Sequence, residues 1–325
     1  MILLELYYSE FLMENPVICL YACHAQNFLI EKGERLKSEP VIAILIVNKI
    51  EILPTVCIQS ILEVTSNNII IGYVDKADIG SLPEDPRIAY LDLKDEYNEL
   101  VINANGNNYI SFENPEFFKL VKLKWKLFEK IFLNFECSFL VYTDIDVIWV
   151  KNPIVELQGA FERNLDIIAY VQDYTTQLSV PRLCMGFFAI KNCPESHNLI
   201  INCKNLHTEM SRQNTRTGDD DVITAYYEKY GNKFIGLLPQ TSFPVGNLLK
   251  AFSKRNVFPG LRLDVPYIFH ANFVVGNFKK ILILDLFSSF IGKRLLGINV
   301  VTHVYFRYLV FLKLRYNFLK NLLNK

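Results

Sequence analysis

Phe139-Leu140-Val141-Tyr142-Thr143-Asp144-Ile145-Asp146-Val147-Ile148-Trp149-Val150 is the stretch on which the reading of this chain turns. An apolar, β-branched and aromatic run ends in two aspartates one residue apart, and a second apolar run follows at once. The first run has the length and character of a buried strand. In extended backbone, residues i and i+2 point the same way, so the spacing predicts that Asp144 and Asp146 present two carboxylates to one side at a strand end. Open α/β sheets bind ligands beside the carboxyl ends of their strands. Two hard oxygen donors there suit Mg²⁺ or Mn²⁺ holding a diphosphate. An Asp-x-Asp pair alone is weak evidence, since Asp219 and Asp221 form another. The flanking apolar runs strengthen it, because burying two carboxylates without a cation is costly.

Outward from this stretch the pattern alternates. Val41 to Val47, Ile69 to Val74, Arg87 to Leu91, Asp166 to Val171, Met185 to Ile190, Phe234 to Leu238 and Tyr267 to Phe269 read as strands. Helices are predicted from Pro54 to Leu62, from Pro115 to about Phe132, near 195–210 and over 220–230. The polar, Asn-rich segment 95–114 reads as loop. Strands alternating with helices predict an α/β/α sandwich with a mostly parallel central sheet. Lys124 falls within the apolar stripe of the Pro115 helix, where a lysine either snorkels or reaches a carboxylate or phosphate.

Size and charge narrow the classes. At 325 residues the chain can bury a large core, and its formal net charge of zero argues against nucleic acid as the main partner. Seven cysteines, dispersed and odd in number, fit reduced thiols better than a disulfide framework. The pairs Cys193/His197 and Cys203/His207 repeat at ten residues. On a helix they would stand ~15 Å apart along the axis, so they cannot meet on one zinc ion. Residues 1–38 read as an N-terminal extension, 39–286 as the α/β domain and 287–325 as a basic, amphipathic helical tail. That tail could lie on an anionic membrane surface or dock on its own domain. The lack of a basic, apolar leader, the dispersed thiols and the absence of Asn-x-Ser/Thr sites lead us to expect a cytoplasmic protein with peripheral membrane contact through the tail.

The order of motifs resembles the nucleotide-diphospho-sugar transferases of GT-A (Rossmann-like) fold that carry an Asp-x-Asp motif. Among them the chain is most similar to the plant cell-wall xylosyl- and galactosyltransferase type, and more distantly to the glycogenin-like type. The resemblance runs from about Val41 to Lys280. It is carried by Val47-Asn48-Lys49, by Lys124-Trp125, and by Tyr142 to Trp149 followed by Lys151-Asn152-Pro153. Met185-Gly186-Phe187-Phe188, Gly218-Asp219-Asp220-Asp221, and His270-Ala271-Asn272 with Gly276 and Lys279 complete it. The family commonly has glutamine where Asp221 stands, and a one-residue slip would put Asp220 there instead.

The resemblance implies transfer of a sugar from a nucleotide diphosphate, such as a UDP-sugar, to a carbohydrate, glycan or lipid-linked acceptor hydroxyl, mostly with retention. It implies Asp144, Asp146 and His270 around Mn²⁺ or Mg²⁺. It implies Val47, Asn48, Lys49, Asp75, Lys124, Tyr142, Thr143, Gly186, Asn272, Gly276 and Lys279 around the donor, with Asp220 or Asp221 beneath the sugar. The rival readings of Asp219 to Asp221 and of His270 are helix capping and a satisfied core histidine. Acceptor contacts are expected from loops 95–114, 173–183 and 241–264. Two other functions compete: a catalytically silent nucleotide- or sugar-binding protein on the same fold, and a nucleotidyltransferase. The second should carry a Gly-rich loop after its first strand, and Val47-Asn48-Lys49-Ile50-Glu51 offers none.

Overall fold

A computed structural model describes residues 39–47, 52–76, 79–100, 115–164, 168–173, 182–214, 216–230, 235–238, 242–243, 266–272, 280–281 and 283–284. The expected N-terminal extension, the basic tail, the stretch 101–114 and most of the other two acceptor loops lie outside these residues. Among the described residues no helix is long and apolar enough to cross a membrane.

Strand β1 (Val41–Ile46) is apolar on both faces and almost wholly buried. Such a strand belongs in the middle of a sheet covered on both sides. β1 pairs in parallel with β2 (Ile69–Tyr73) on one side and β4 (Phe139–Thr143) on the other. β3 (Ile88–Asp92) extends the parallel array beyond β2. Past β4 comes β7 (Arg182–Lys191), antiparallel to β4 and to β6 (Ile168–Asp173), and then β8 (Ile235–Leu238), parallel to β6. The order is β3-β2-β1-β4-β7-β6-β8, with β5 (Val147–Trp149) and β9 (Ile268–His270) forming a separate antiparallel pair. The chain leaves β1 toward β2 and β3, then returns to β4 on the opposite side. A crevice opens where such a topology reverses, beyond the carboxyl ends of β1 and β4.

Strand alternation divides the core into two layers. Val41, Ala43, Leu140 and Tyr142 face α4 (Leu123–Asn134), α6 (Pro194–Gln213) and α7 (Asp219–Tyr230). Ile42, Ile44, Phe139 and Val141 face α1 (Leu53–Val64), α5 (Ile154–Asn164) and the β5–β9 pair. The sandwich is therefore the mixed α/β, mostly parallel architecture that the alternation predicts.

Two local expectations need correction. The start of the supposed loop 95–114 is helix α2 (Lys94–Leu100). Asp92 accepts a hydrogen bond from the Lys94 N–H at 2.8 Å, and Asp95 and Glu96 place negative charge in the first turn. Both favour helix initiation despite the polar composition. The single helix expected from Pro115 to Phe132 is two, α3 (Pro115–Leu120) and α4. At the junction Lys124 N–H bonds Val121 O and Trp125 N–H bonds Lys122 O, each at 3.2 Å. These i→i−3 bonds tighten the chain locally. The apolar spacing runs through the break, which is why periodicity does not reveal it.

The first layer centres on aromatic rings. Phe128 meets Trp125, Tyr142 and Phe188 edge to face at centroid distances of 6.0, 5.3 and 5.2 Å. The Trp125 indole N–H donates to His207 Nδ1 at 3.0 Å, and His207 Nε2 lies 3.1 Å from Thr217 O. Trp125 thus ties α4 through α6 to the segment that starts α7. Replacing Phe128 by alanine is expected to destabilise the protein by about 3–5 kcal/mol, read from the urea midpoint at constant m-value.

Candidate metal and donor site

β4 stops at Thr143 because the chain turns. The Asp144 N–H donates to Gly186 O at 2.7 Å, and the Val147 N–H donates back to Asp144 O at 3.2 Å. Asp144 and Asp146 therefore come together across a tight turn, not through the i, i+2 alternation of a strand. After the turn β5 pairs with β9 so that Val147 stands opposite His270. The Ala271 N–H then donates to Asp146 O at 2.9 Å. His270 Nε2 comes to lie 3.2 Å from Asp146 Oδ1. One ligand atom from each of Asp144, Asp146 and His270 lies within 4.8 Å of the other two.

The remaining oxygens of both aspartates are held from outside. Asp144 Oδ1 accepts from Tyr142 O–H at 2.8 Å and pairs with Lys124 Nζ at 3.1 Å. Asp146 Oδ2 pairs with Lys280 Nζ at 2.5 Å. Asp144 Oδ2 turns toward the imidazole across Gly186. A Cβ at Gly186 would stand 2.1 Å from His270 Cε1 and 2.8 Å from Asp144 Oδ2. Two carboxylate oxygens and an imidazole nitrogen thus face one another over a position that only glycine leaves open. Oxygen and imidazole donors in this number fit Mn²⁺ or Mg²⁺.

Burial opposes ionisation of Asp146, but His270 and Lys280 outweigh it and hold its carboxyl far below the usual carboxylate range. Its charged form stabilises the fold above the unfolded-state value, and that contribution is lost as pH falls.

Beside this cluster lies a buried ammonium. Burial would depress the Lys124 pKa, yet Asp144 and Asp219 dominate and raise it well above the ordinary lysine value. Its Nζ is 2.6 Å from Asp219 Oδ2 and 4.8 Å from the Tyr142 ring centroid. Of the two readings of this lysine, the structure shows the one in which it reaches carboxylates.

A β-bulge brings α7 to the same place. Tyr170 of β6 pairs with Phe188, but Val171 pairs with Cys184, so Met185 to Phe187 drop out of the ladder. The Met185 backbone groups bond the site instead. The Met185 N–H donates to Asp220 Oδ1 at 2.6 Å, and Met185 O accepts from Lys124 Nζ at 3.4 Å. Gly186 O takes the Asp144 N–H. Asp220 is thereby held against β7, one residue before Gly186. Burial and the neighbouring Asp219 charge push its carboxyl up to about 7. Asp221 instead accepts from the Gly218 N–H at 2.9 Å and pairs with Arg182 at 3.2 Å. It completes the α7 terminus, the capping role weighed for these aspartates.

Of the other donor residues, Val47 and Asp75 follow β1 and β2 at the same carboxyl edge of the sheet as Asp144. Thr143 is fully buried, with Trp149 Nε1 at 3.5 Å from its hydroxyl, and faces the core. The Asn272 amide turns to Cys184 Sγ. Asn48, Lys49, Gly276 and Lys279 lie outside the described residues. Lys280, next to Lys279, and Asp219 belong to the observed cluster although sequence reasoning did not select them. The adjacent lysines and the aspartate triplet were visible, but no local pattern distinguishes their members.

Residues 84–284 match the family model described as nucleotide-diphospho-sugar transferase. The chain belongs to this family. It is a glycosyltransferase, and its paired aspartates lie beyond the carboxyl end of β4 in a mixed α/β sandwich. Similar solved structures include mouse xyloside xylosyltransferase 1 in its apo form, 14% identical, TM-score 0.47, covering 73% of this chain and 98% of that one. The galactosyltransferase LgtC, solved with donor and acceptor sugar analogues, is 12% identical with a TM-score of 0.49, covering 71% and 86%. Comparison with curated protein sequences gives no match.

In this transferase, Lys124→Met would leave two carboxylates without their shared counter-charge. A loss of about 3–5 kcal/mol is expected in urea denaturation at neutral pH. Gly186→Ala should displace the His270 ring, read as a shift of the His270 ring resonances in NMR spectra of the protein.

Proposed function

We propose that this transferase is metal-dependent and moves a sugar from a UDP-sugar to an acceptor hydroxyl with retention at the anomeric carbon. The observation that carries the reading is the Asp144–Asp146–His270 cluster, whose inner donor atoms face one another while lysines hold only the outer oxygens. Asp144, Asp146 and His270 would hold Mn²⁺ or Mg²⁺. The cation would supply Lewis-acid stabilisation of the departing diphosphate without proton transfer.

The chain's own groups do the rest. Tyr142 and Lys124 fix the orientation of Asp144, and the Ala271 N–H anchors the backbone of Asp146. Lys280, next to the cluster, can exchange Asp146 for phosphate oxygens once a donor binds, neutralising charge as the glycosidic bond breaks. Asp220 is the carboxylate for the sugar. Ionised, it stabilises an oxocarbenium-like state or attacks it from the face opposite the diphosphate. The silent-binder alternative keeps this geometry but predicts no turnover. The nucleotidyltransferase alternative gains no support from the described residues near β1.

A panel of nucleotide sugars with Mn²⁺, read by release of nucleotide, tests the reading. Release from none of them would favour the silent binder. Asp146→Ala should abolish Mn²⁺-dependent UDP binding and leave the fold intact, as judged by calorimetry and circular dichroism. His270→Ala should weaken metal binding by a smaller factor.

Asp220 makes a pH prediction. Its folded-state value, about 7, lies above the unfolded one. Ionisation therefore costs stability, which falls as pH rises from about 4 toward neutrality. Turnover should move the other way, rising with pH through that range. Asp220→Asn should flatten both dependences. A turnover limb unchanged in its residual activity would remove Asp220 from the mechanism.

A further inference from the structure

Cys184 lies on β7, two residues before Gly186, and only 3% of its surface is exposed. Its Sγ is 3.8 Å from His270 Nδ1 and 3.7 Å from Asn272 Nδ2. Two side chains from the end of β9 thus converge on one sulfur. The opposite ring nitrogen of His270 is the one that faces Asp146. Gly186 makes room for the edge of the imidazole carrying Cε1 and Nε2. The ring is therefore gripped by β7 at two points: open space under one edge and a polarisable sulfur against the other.

A neutral imidazole carries one proton on its two nitrogens. Nε2 can serve a metal only when that proton sits on Nδ1. A metal-ligating histidine nearly always donates this N–H to an acceptor, which fixes both tautomer and orientation. Among the described residues the polar side-chain atom facing Nδ1 is the Cys184 sulfur. We infer that Cys184 is the positioning residue for His270, accepting its Nδ1–H and keeping a bare Nε2 turned toward Asp144 and Asp146. The inference rests on the metal-dependent reading above.

A thiol can fill the place that a carboxylate or carbonyl usually takes. A thiol both donates and accepts weakly. Either ring tautomer can therefore keep the contact: with the proton on Nε2 the thiol S–H donates to Nδ1, and with the proton on Nδ1 the sulfur accepts.

The test uses the full chain, with Cys184→Ala, Cys184→Ser and His270→Ala. Mn²⁺ affinity is measured calorimetrically, and His270 tautomers are read from long-range ¹H–¹⁵N NMR. Cys184→Ala is expected to weaken Mn²⁺ binding on the order of 10-fold, with Cys184→Ser falling between it and the parent. In a His270→Ala background, Cys184→Ala should cost nothing further. The Nδ1 resonance of His270 should move in Cys184→Ala even without metal. If the alanine variant does not fold, the serine variant carries the same readings. Unchanged Nδ1 resonance, unchanged Mn²⁺ affinity, or losses that add in the double variant would each overturn the positioning role. A parent protein that binds no Mn²⁺ would instead overturn the metal reading on which it rests, leaving the NMR comparison to report on the sulfur contact alone.

Discussion

The Lys124 ammonium is the interaction on which the site depends. It is buried between Asp144 of the β4 turn and Asp219 of α7, against the Tyr142 ring. Neither a buried cation nor two neighbouring carboxylates is stable alone in a protein interior. Together they form a cross-link between α4, the end of β4 and the start of α7. Because its geometry must satisfy both carboxylates, the lysine also sets where Asp144 can point. The α3–α4 break just before Lys124, with its tightened hydrogen bonding, is part of how that reach is achieved.

The β7 bulge is the second constraint. A regular β6–β7 ladder would use up the backbone groups of Met185. Releasing them from β6 lets β7 bind Lys124 and Asp220 through Met185, while Gly186 O on the β4 side takes the Asp144 N–H. Main-chain contacts hold the side chains at fixed distances without the entropy of a further long side chain. The bulge also places Gly186 under the His270 ring. Bulges recur next to active sites for this kind of re-aiming.

Charge distribution then separates the aspartates by task. Asp146, between His270 and Lys280, is stabilised as a carboxylate. Asp221 serves the helix terminus and Arg182. Asp220 is buried beside the Asp219 charge and accepts a backbone N–H from Met185, so its proton affinity rises. Identical side chains within a few residues acquire different chemistry from burial and neighbours. Family membership tells that a sugar is transferred; these differences in environment are the basis on which we propose residues for its steps.

By itself the sequence determined the layers of this protein. Two-sided apolar strands such as Val41–Ile46, alternating with amphipathic helices, specify a sheet covered on both faces, because that pattern is local and repeats. It also exposed Asp144 and Asp146, carboxylates that close an apolar strand, whereas His270 was marked by the family resemblance and not by its local pattern. The α2 helix was missed because capping by Asp92 outweighed a polar composition. The helix break at Val121 was hidden because i→i−3 bonds leave the apolar spacing intact. Only the tertiary structure decided that Lys124 pairs inward, that Lys280 holds Asp146, that Asp220 bonds the β7 backbone while Asp221 caps a helix, and that Cys184 stands behind His270. Each of these depends on which residues of distant segments meet. That is set by strand register, by the slip of β7 against β6 and by the shared demand for counter-charge, and none of these leaves a periodic trace in the chain.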